Sequence, residues 1–459
     1  MPDYSSLPSV TALASIPELA KFPESIRVRA AKLAIKTYRK SFEPGRPEVD
    51  LHAEVIKDAH RLTVWSHQNV RNFSGVILHT GLGRAPLMDQ FTMSPSMSGY
   101  TNLEFDLTTG KRGDRQDHLR ALLCELTGAE DALVVNNGAG AVLLALSALC
   151  SRKEVLLSRG QSVEIGGAFR MPDVIKASGC KLIDVGTTNK TRAQDYSDAL
   201  TPKTAAILQC HPSNFEVKGF TSSPTSMELA EVAHKHGVLF INDQGNGAMV
   251  DFKQYGIHRI ETLPQSVAAG ADITIGSGDK LLGGPQCGII LGRKDLIAKM
   301  AKHPLARALR IDKTNLHYLQ STLTTYLIGD YHRIPLFRLL DVSAEDVKET
   351  CELLAPEGAE IMETITELGS GASPGQGVKS YAIVLKTSRP DELLASLRDQ
   401  NIIGRIHKGK VWLDLRTAQK PKLVPRVSGI VPGPDGTMEL NPSSKALKNY
   451  LTECWEQWK

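Results

Sequence analysis

The apolar positions of this chain change rhythm twice. Up to about residue 70 they follow a helical period: Ile26, Ala30, Leu33, Ala34 and Tyr38 share one face, which predicts a helix there. Pro17-Glu18-Leu19 opens a shorter helical turn before it, because proline suits a first helical position, and Pro23 ends that turn. The run Glu43-Pro44-Gly45-Arg46-Pro47 breaks the pattern, and a second helical stretch covers about 49–64. From about residue 75, short β-branched apolar runs alternate with helical stretches. The predicted strands are 132–135, 154–158, 181–185, 205–209, 238–242, 273–276 and 288–291, with helices at 117–126, 138–149 and 226–236 between them. Strands that are apolar at nearly every position must be covered on both faces, so the expectation is a mainly parallel sheet between helical layers, an α/β fold. After about 330 the pattern predicts a strand at 381–386, a helix at 390–399, and a hairpin of 402–406 with 410–415 across His407–Gly409.

These changes divide the 459 residues into three predicted domains: helical 1–70, large α/β 71–330 and small α/β 331–459. A chain of this length exceeds what one simple core organises. With 41% hydrophobic and 23% charged residues the composition is that of an ordinary globular protein. No run of about 18 apolar residues exists to span a membrane, and Met1-Pro2-Asp3-Tyr4 has neither the basic start nor the apolar core of a secretion signal. A cytoplasmic protein is therefore expected. The seven cysteines are scattered without a Cys-x-x-Cys pair, and no His-x-x-x-His pair occurs. Neither a disulfide framework nor a metal site is expected. The net charge of +4 decides little, but its distribution is uneven: eight basic residues against two acids lie between Lys21 and Arg46. Arg27, Arg29, Lys32, Lys36, Arg39 and Lys40 either form the kind of footprint that a nucleic-acid backbone selects or a plain solvated helix face.

Candidate chemistry centres on Ser277-Gly278-Asp279-Lys280, after a predicted strand and before Leu281-Leu282-Gly283-Gly284. A Schiff-base lysine needs a fixed position at the end of a rigid element and surroundings that lower its pKa. Ser277, three residues earlier, is placed to reach a cofactor phosphate. By itself such a lysine is unremarkable, but two further features precede it in the chain. Asp243 closes the strand at 238–242, where a carboxylate can pair with a protonated pyridine nitrogen. Asn137-Gly138-Ala139-Gly140 lies between a strand and a helix, where free backbone N–H groups make an anion site. A phosphate loop, then a strand-end aspartate, then Ser-x-x-Lys is the order of a pyridoxal 5′-phosphate (PLP) enzyme of the aspartate-aminotransferase type, the PLP-dependent transferase fold type I. Arg84, Arg307 and Arg310 would suit an oxyanion co-substrate beside that site, or form ordinary surface ion pairs. Arg405 and Arg416, on the C-terminal hairpin, face either the substrate or solvent.

Longer stretches then become recognisable. They include Gly75-Val76-Ile77-Leu78-His79-Thr80 with Leu82-Gly83-Arg84-Ala85-Pro86-Leu87, Thr101-Asn102-Leu103-Glu104-Phe105-Asp106-Leu107, Val185-Gly186-Thr187-Thr188-Asn189, His211-Pro212-Ser213-Asn214-Phe215 and Arg307-Ala308-Leu309-Arg310. On these the chain resembles the bacterial selenocysteine synthases, the L-seryl-tRNA(Sec) selenium transferases. The resemblance implies conversion of L-seryl-tRNA(Sec) to L-selenocysteyl-tRNA(Sec) with selenophosphate, through an aldimine on Lys280 and an aminoacrylyl intermediate. It implies that Lys280 takes the α-proton, that Asp279, catalytic with it, stands beside the three arginines Arg84, Arg307 and Arg310, and that Asn214 joins Ser277, Asp243 and the 137–140 loop around the cofactor. It further implies that Arg84, Arg307 and Arg310 bind selenophosphate, with Thr187 and Thr188 contributing across a subunit boundary, that residues 1–70 bind tRNA, and that the chains assemble as a ring of dimers, possibly a decamer. The chain departs from the family pattern at Gly81, at Gly138-Ala139-Gly140, at Gln244-Gly245-Asn246-Gly247 and at Gly369-Ser370-Gly371-Ala372-Ser373-Pro374-Gly375. A PLP lyase acting on a small amino acid or sugar acid without tRNA is the nearest alternative, and an idle tRNA-binding scaffold the next.

Overall fold

The computed structural model describes residues 7–41, 50–63, 66–88, 99–165, 169–211, 215–372, 375–418, 430–432, 438–440 and 442–459. The chain forms two compact units, Met1–Val70 and Arg71–Lys459. In the first, helices α1 (Val10–Ala14), α2 (Glu24–Ser41) and α3 (Leu51–Thr63) close around Leu13, Leu19, Ala30, Ala31, Ala34, Val55 and Ala59. The small residues on α2 let the three short helices approach one another. On α2, Arg29, Lys32, Lys36 and Arg39 recur at steps of three and four residues and are exposed, whereas Arg27 falls within the apolar sector. Arg27 is half-buried and directs Nη1 to the Ala14 carbonyl at 3.4 Å, so it serves the packing of the unit rather than the basic stripe.

The second unit is built on a seven-stranded sheet. Its strands, in chain order, are β1 (Asp131–Val135), β2 (Glu154–Ser158), β3 (Lys181–Val185), β4 (Thr204–Cys210), β5 (Leu239–Asp243), β6 (Ile273–Ser277) and β7 (Gly288–Gly292). Their order across the sheet is β1-β7-β6-β5-β4-β2-β3, and β7 alone runs against the rest. All seven occupy the predicted positions. Their apolar side chains feed two cores, one on each face, which is why the runs read as continuous rather than alternating. Helices α4 (Asp117–Thr127) and α5 (Gly138–Cys150) begin as predicted on the faces of this sheet.

A four-stranded antiparallel sheet follows, ordered β8 (Glu360–Glu367), β9 (Gly377–Leu385), β11 (Lys410–Asp414), β10 (Arg405–His407). β8 is absent from the sequence reading because its Glu360-Ile361-Met362-Glu363-Thr364-Ile365-Thr366-Glu367 pattern is that of an edge strand with little burial. The predicted strand at 402–406 is split at Gly404, where a Cβ would lie 2.6 Å from Leu413 Cδ2. Ile402–Ile403 leaves the hairpin and pairs in parallel with Arg71–Asn72. Residues 71–78 therefore run along the C-terminal layer, with Phe73 in its core and the Ile77 and Leu78 amides bonded to Glu367 and Leu368. The C-terminal helix Pro442–Trp458, also unforeseen, closes that core with Leu451 and Trp455.

One backbone contact fixes the junction on which the candidate site depends. Gly247 has φ +72°, and a Cβ there would sit 2.0 Å from the Ser277 carbonyl oxygen. Gly256 has φ +75° with open space around it. Gly247→Ala is expected to destabilise the protein by about 3 kcal/mol or more, since backbone must move. Gly256→Ala should cost about 1 kcal/mol, the left-handed penalty alone. Denaturant midpoints of the two variants measure the difference; equal costs would mean that the β5–β6 junction tolerates displacement.

Candidate active site

The side chains singled out in the sequence come together at the carboxyl ends of β1, β5 and β6, next to the reversed strand β7. Open α/β sheets place their ligand crevices at this end. Asn137 caps α5, its side-chain oxygen accepting from the Gly140 amide at 2.7 Å. Gly138 begins the helix directly against Ser277: an added Cβ would be 2.5 Å from Ser277 Oγ. The free amides of a helix N-terminus and a serine hydroxyl thus face the same small space, an arrangement suited to a phosphate. Ala139 is exposed, and Gly140 is packed beside Leu309.

Lys280 sits in a tight turn after β6, held by Gly283 N–H to its carbonyl (2.9 Å) and by Gly284 N–H to the Gly278 carbonyl (2.9 Å). Its side chain is buried at 8% exposure. Burial lowers its pKa, with the Arg84 charge acting in the same direction and Asp243 and Asp279 opposing. Asp243 ends β5, and burial pushes its carboxyl up to about 6 while the nearby Lys280 charge holds it back. A strand-end carboxylate this poorly solvated is a group waiting for a cation. His211, one residue past β4, completes the floor. Its amide donates to the Asp243 carbonyl at 3.1 Å, and its buried Nε2 has no hydrogen-bond partner among the described residues. Burial and the Lys280 charge both lower its pKa, so the ring is neutral and keeps one nitrogen for a ligand. These groups fit PLP: a phosphate cradle at Gly138 and Ser277, an acid for the ring nitrogen, an amine for the aldehyde, and an unpaired ring nitrogen between. The sequence reading used His211 only as part of a matching stretch; its position one residue beyond an apolar strand was the available signal. Asn214 lies outside the described residues.

The arginines stand beside this crevice. Arg84 has φ +61°, and its Nη1 donates to Asp279 Oδ2 at 2.7 Å, while Ala85 N–H reaches the Asp279 carbonyl. Arg307 is exposed on the short helix Pro304–Ala308, but Arg310 lies beyond that helix and bridges Val135 of β1. The two therefore do not lie on one helix. The Asn136 amide bonds the Leu309 carbonyl at 2.8 Å, so the arginine segment is tied to the phosphate loop. Thr187 and Thr188 are placed elsewhere within the chain. Thr187 Oγ1 donates to the Lys190 carbonyl, and Thr188 lines a cavity of about 230 Å3 with Ser158, Gln161, Thr191 and His211 but none of the three arginines.

The structure gives the two C-terminal arginines structural work. Arg405 donates to the Ser74 carbonyl (2.6 Å) and Thr364 Oγ1 (2.8 Å). Arg416 is fully buried and spends its guanidinium on the carbonyls of Leu339, Val342 and Lys379. Both hold the 71–78 and 335–341 segments to the small sheet, with Arg416 Nε buried and without a partner among the described residues. Among the described residues no group of three or more His, Cys, Asp or Glu side chains is arranged to hold a metal, and no helix is long and apolar enough to cross a membrane.

Comparison with known proteins now decides the family. A profile for L-seryl-tRNA selenium transferase matches residues 70–419. The chain belongs to the L-seryl-tRNA selenium transferase family. It is 45% identical over 372 residues to the L-seryl-tRNA(Sec) selenium transferase of Carboxydothermus hydrogenoformans, covering 78% of this chain and 80% of that one. With the enzyme of the same name from Alkaliphilus oremlandii it is 39% identical over 444 residues, covering 90% and 95%, so that likeness extends past the segment matched by the profile. Among solved structures, D-glucosaminate-6-phosphate ammonia-lyase superposes with a TM-score of 0.59 at 20% identity, covering 87% of this chain and 98% of the lyase. That likeness establishes the fold alone. PLP is the cofactor of this transferase family, in agreement with the fit of the Lys280 crevice.

Proposed function

We propose that this protein converts L-seryl-tRNA(Sec) to L-selenocysteyl-tRNA(Sec) with selenophosphate as selenium donor. The observation that carries the reading is that buried Lys280 feels both the carboxyl of half-buried Asp243 and the Arg84–Asp279 pair. PLP bound there supplies an electron sink for negative charge at the α-carbon of the seryl group. Gly138 and Ser277 would hold its phosphate and Asp243 its ring nitrogen. Lys280 Nζ, whose pKa burial lowers, takes the α-proton, and the β-hydroxyl departs with that proton as water. Arg84, Arg307 and Arg310 then hold the phosphate oxygens of selenophosphate while selenium bonds to the β-carbon, and a proton returns to the α-carbon through Lys280. Water takes the phosphoryl group from selenium to leave phosphate, and Asp279 keeps Arg84 aimed. Forked guanidinium donors match that oxyanion better than a point charge would.

Thr188, whose cavity includes none of the three arginines, and Thr187 beside it would contribute to such a site from a second subunit. This fits a closed homo-oligomer, a ring of dimers, working in the cytoplasm. The exposed stripe Arg29, Lys32, Lys36, Arg39 and Lys40 on α2 supplies the tRNA contact, with Arg27 behind it. Replacing Lys32, Lys36 and Lys40 together by alanine is expected to weaken seryl-tRNA(Sec) binding by about tenfold at moderate salt. The slope of log affinity against log salt should become shallower by about one for each phosphate that is no longer neutralised. Gel shift over a salt series measures both; an unchanged slope would remove the stripe from the tRNA interface.

The direct test of the reading is incubation of the purified protein and PLP with seryl-tRNA(Sec) and selenophosphate. Selenocysteyl-tRNA(Sec) is the expected product. Absence of conversion, together with ammonia release from a small amino acid or amino-sugar acid, would replace this reading with the lyase.

A further inference from the structure

Glu104 holds a position that the reaction outlined above does not use. One of its carboxylate oxygens, Oε1, accepts from Arg115 Nε at 2.8 Å, Arg115 Nη2 at 2.6 Å and Arg310 Nη1 at 3.2 Å; Oε2 accepts from Arg112 Nη2 at 2.9 Å. Arg115 is itself buried, and its remaining donor, Nη1, grips the Ile311 carbonyl at 2.6 Å. The side chain of Arg310 and the carbonyl of the next residue, Ile311, are therefore both traced to one carboxylate, directly and through Arg115.

We propose that Glu104 is a positioning residue for the oxyanion co-substrate: it sets the direction of the Arg310 guanidinium and, through Arg115, the backbone that carries it. This inference rests on the reading of Arg310 as an oxyanion-binding residue. Three features of the arrangement separate it from an ordinary surface ion pair. Two donors of Arg115, Nε and Nη2, converge on the single Glu104 oxygen Oε1, which restrains direction as well as distance. Three guanidinium groups share a single carboxylate, so Glu104 orients Arg310 while the cluster keeps a positive excess for an anion; at Arg84, by contrast, Asp279 offsets the charge one for one. Finally, the same segment is pinned from its other side by the Asn136 amide on the Leu309 carbonyl and by the Arg310–Val135 bridge. The co-substrate arginine and the cofactor phosphate loop thus keep a fixed separation, as a group that must deliver selenium to a cofactor-bound carbon requires.

The test is steady-state kinetics of Glu104→Gln with selenophosphate varied at saturating seryl-tRNA(Sec), alongside the affinity of the unmodified and variant proteins for inorganic phosphate. Glutamine keeps the shape and one acceptor but removes the charge that strengthens all four bonds. The expected result is a rise of about tenfold in KM for selenophosphate, with kcat and KM for seryl-tRNA(Sec) little changed and phosphate affinity weakened by a similar factor. Glu104→Asp, with the charge restored but set back, should recover part of that loss; a purely structural role would not separate the two co-substrates in this way. An unchanged KM, or a fall in kcat alone, would overturn the inference. Should Glu104→Gln fail to fold, Arg115→Lys decides instead, since it keeps the charge but loses the fork and should raise the same KM. Arg310→Ala separates this inference from the reading beneath it: if that variant leaves KM for selenophosphate unchanged, the oxyanion assignment itself fails. If Arg310→Ala raises KM and Glu104→Gln does not, only the role of Glu104 is lost.

Discussion

Lys280→Ala is expected to abolish selenocysteyl-tRNA(Sec) formation, by about a thousandfold or more, and to leave borohydride unable to fix the cofactor to the chain. Two functions disappear with one amine: the nucleophile that holds PLP and the base that moves the α-proton, each worth orders of magnitude. No neighbour replaces it. His211 is kept neutral by burial and the Lys280 charge, but it belongs to the floor of the crevice, and Arg84 does not act as a base. Removal of the ammonium also takes away the charge that partly relieves Asp243, so its carboxyl should rise further above its ordinary range. The measurement is conversion together with the cofactor's visible absorbance before and after borohydride. Conversion retained in this variant would show that a different residue carries the chemistry.

Asp243→Asn is the second large effect, and it divides stability from activity. With the carboxyl pushed up to about 6 from an ordinary value of 3.8, the cofactor-free fold prefers the protonated acid. A group whose folded pKa is raised contributes stability that is complete below the unfolded value and is lost as pH rises through the folded one. Above pH 6 the cofactor-free protein therefore carries a buried anion at a cost of about 2 kcal/mol, after allowance for the partial opening of the crevice to solvent. Asparagine removes that cost. The variant should be the more stable protein at pH 8 without cofactor and lose its advantage near pH 4. Its activity should fall by about a hundredfold to a thousandfold, because the ring nitrogen no longer has an anion to hold its proton. Thermal unfolding at the two pH values and the conversion rate test the two halves separately. A variant less stable than the parent at pH 8 would mean that Asp243 is satisfied without cofactor.

Family membership ties both expectations to L-seryl-tRNA selenium transferase chemistry, but the physical basis is local. A strand-end acid and a strand-end lysine are brought together by parallel neighbours, β5 and β6, in register at Asp243 and Ile275.

How much of this was written in the linear pattern follows from what each residue's position depends on. The seven strands of the large sheet, and the places of Asp243, Ser277, Lys280 and Asn137 near their ends, were legible because continuous apolar runs mark buried strands and these candidate residues sit where those runs stop. The basic patch on α2 was legible from the local charge count, which ignores the sector of the helix and so does not show that Arg27 is half-buried. The small sheet's edge strand, Glu360–Glu367, has too little burial to leave an apolar signature. Arg405 and Arg416 were indistinguishable from substrate arginines until their carbonyl partners were known. Glu104 lay within a recognisable stretch without a role, because its role depends on Arg115 reaching Ile311 and on Arg310, which lies 206 residues farther along. Where strands end, and which reactive groups stand at those ends, is written in the linear order of residues, since local hydrophobic pattern decides burial. Which charges share a partner is settled in three dimensions alone, because a guanidinium's function depends on the acceptors that surround it, and those come from parts of the chain that only folding brings together.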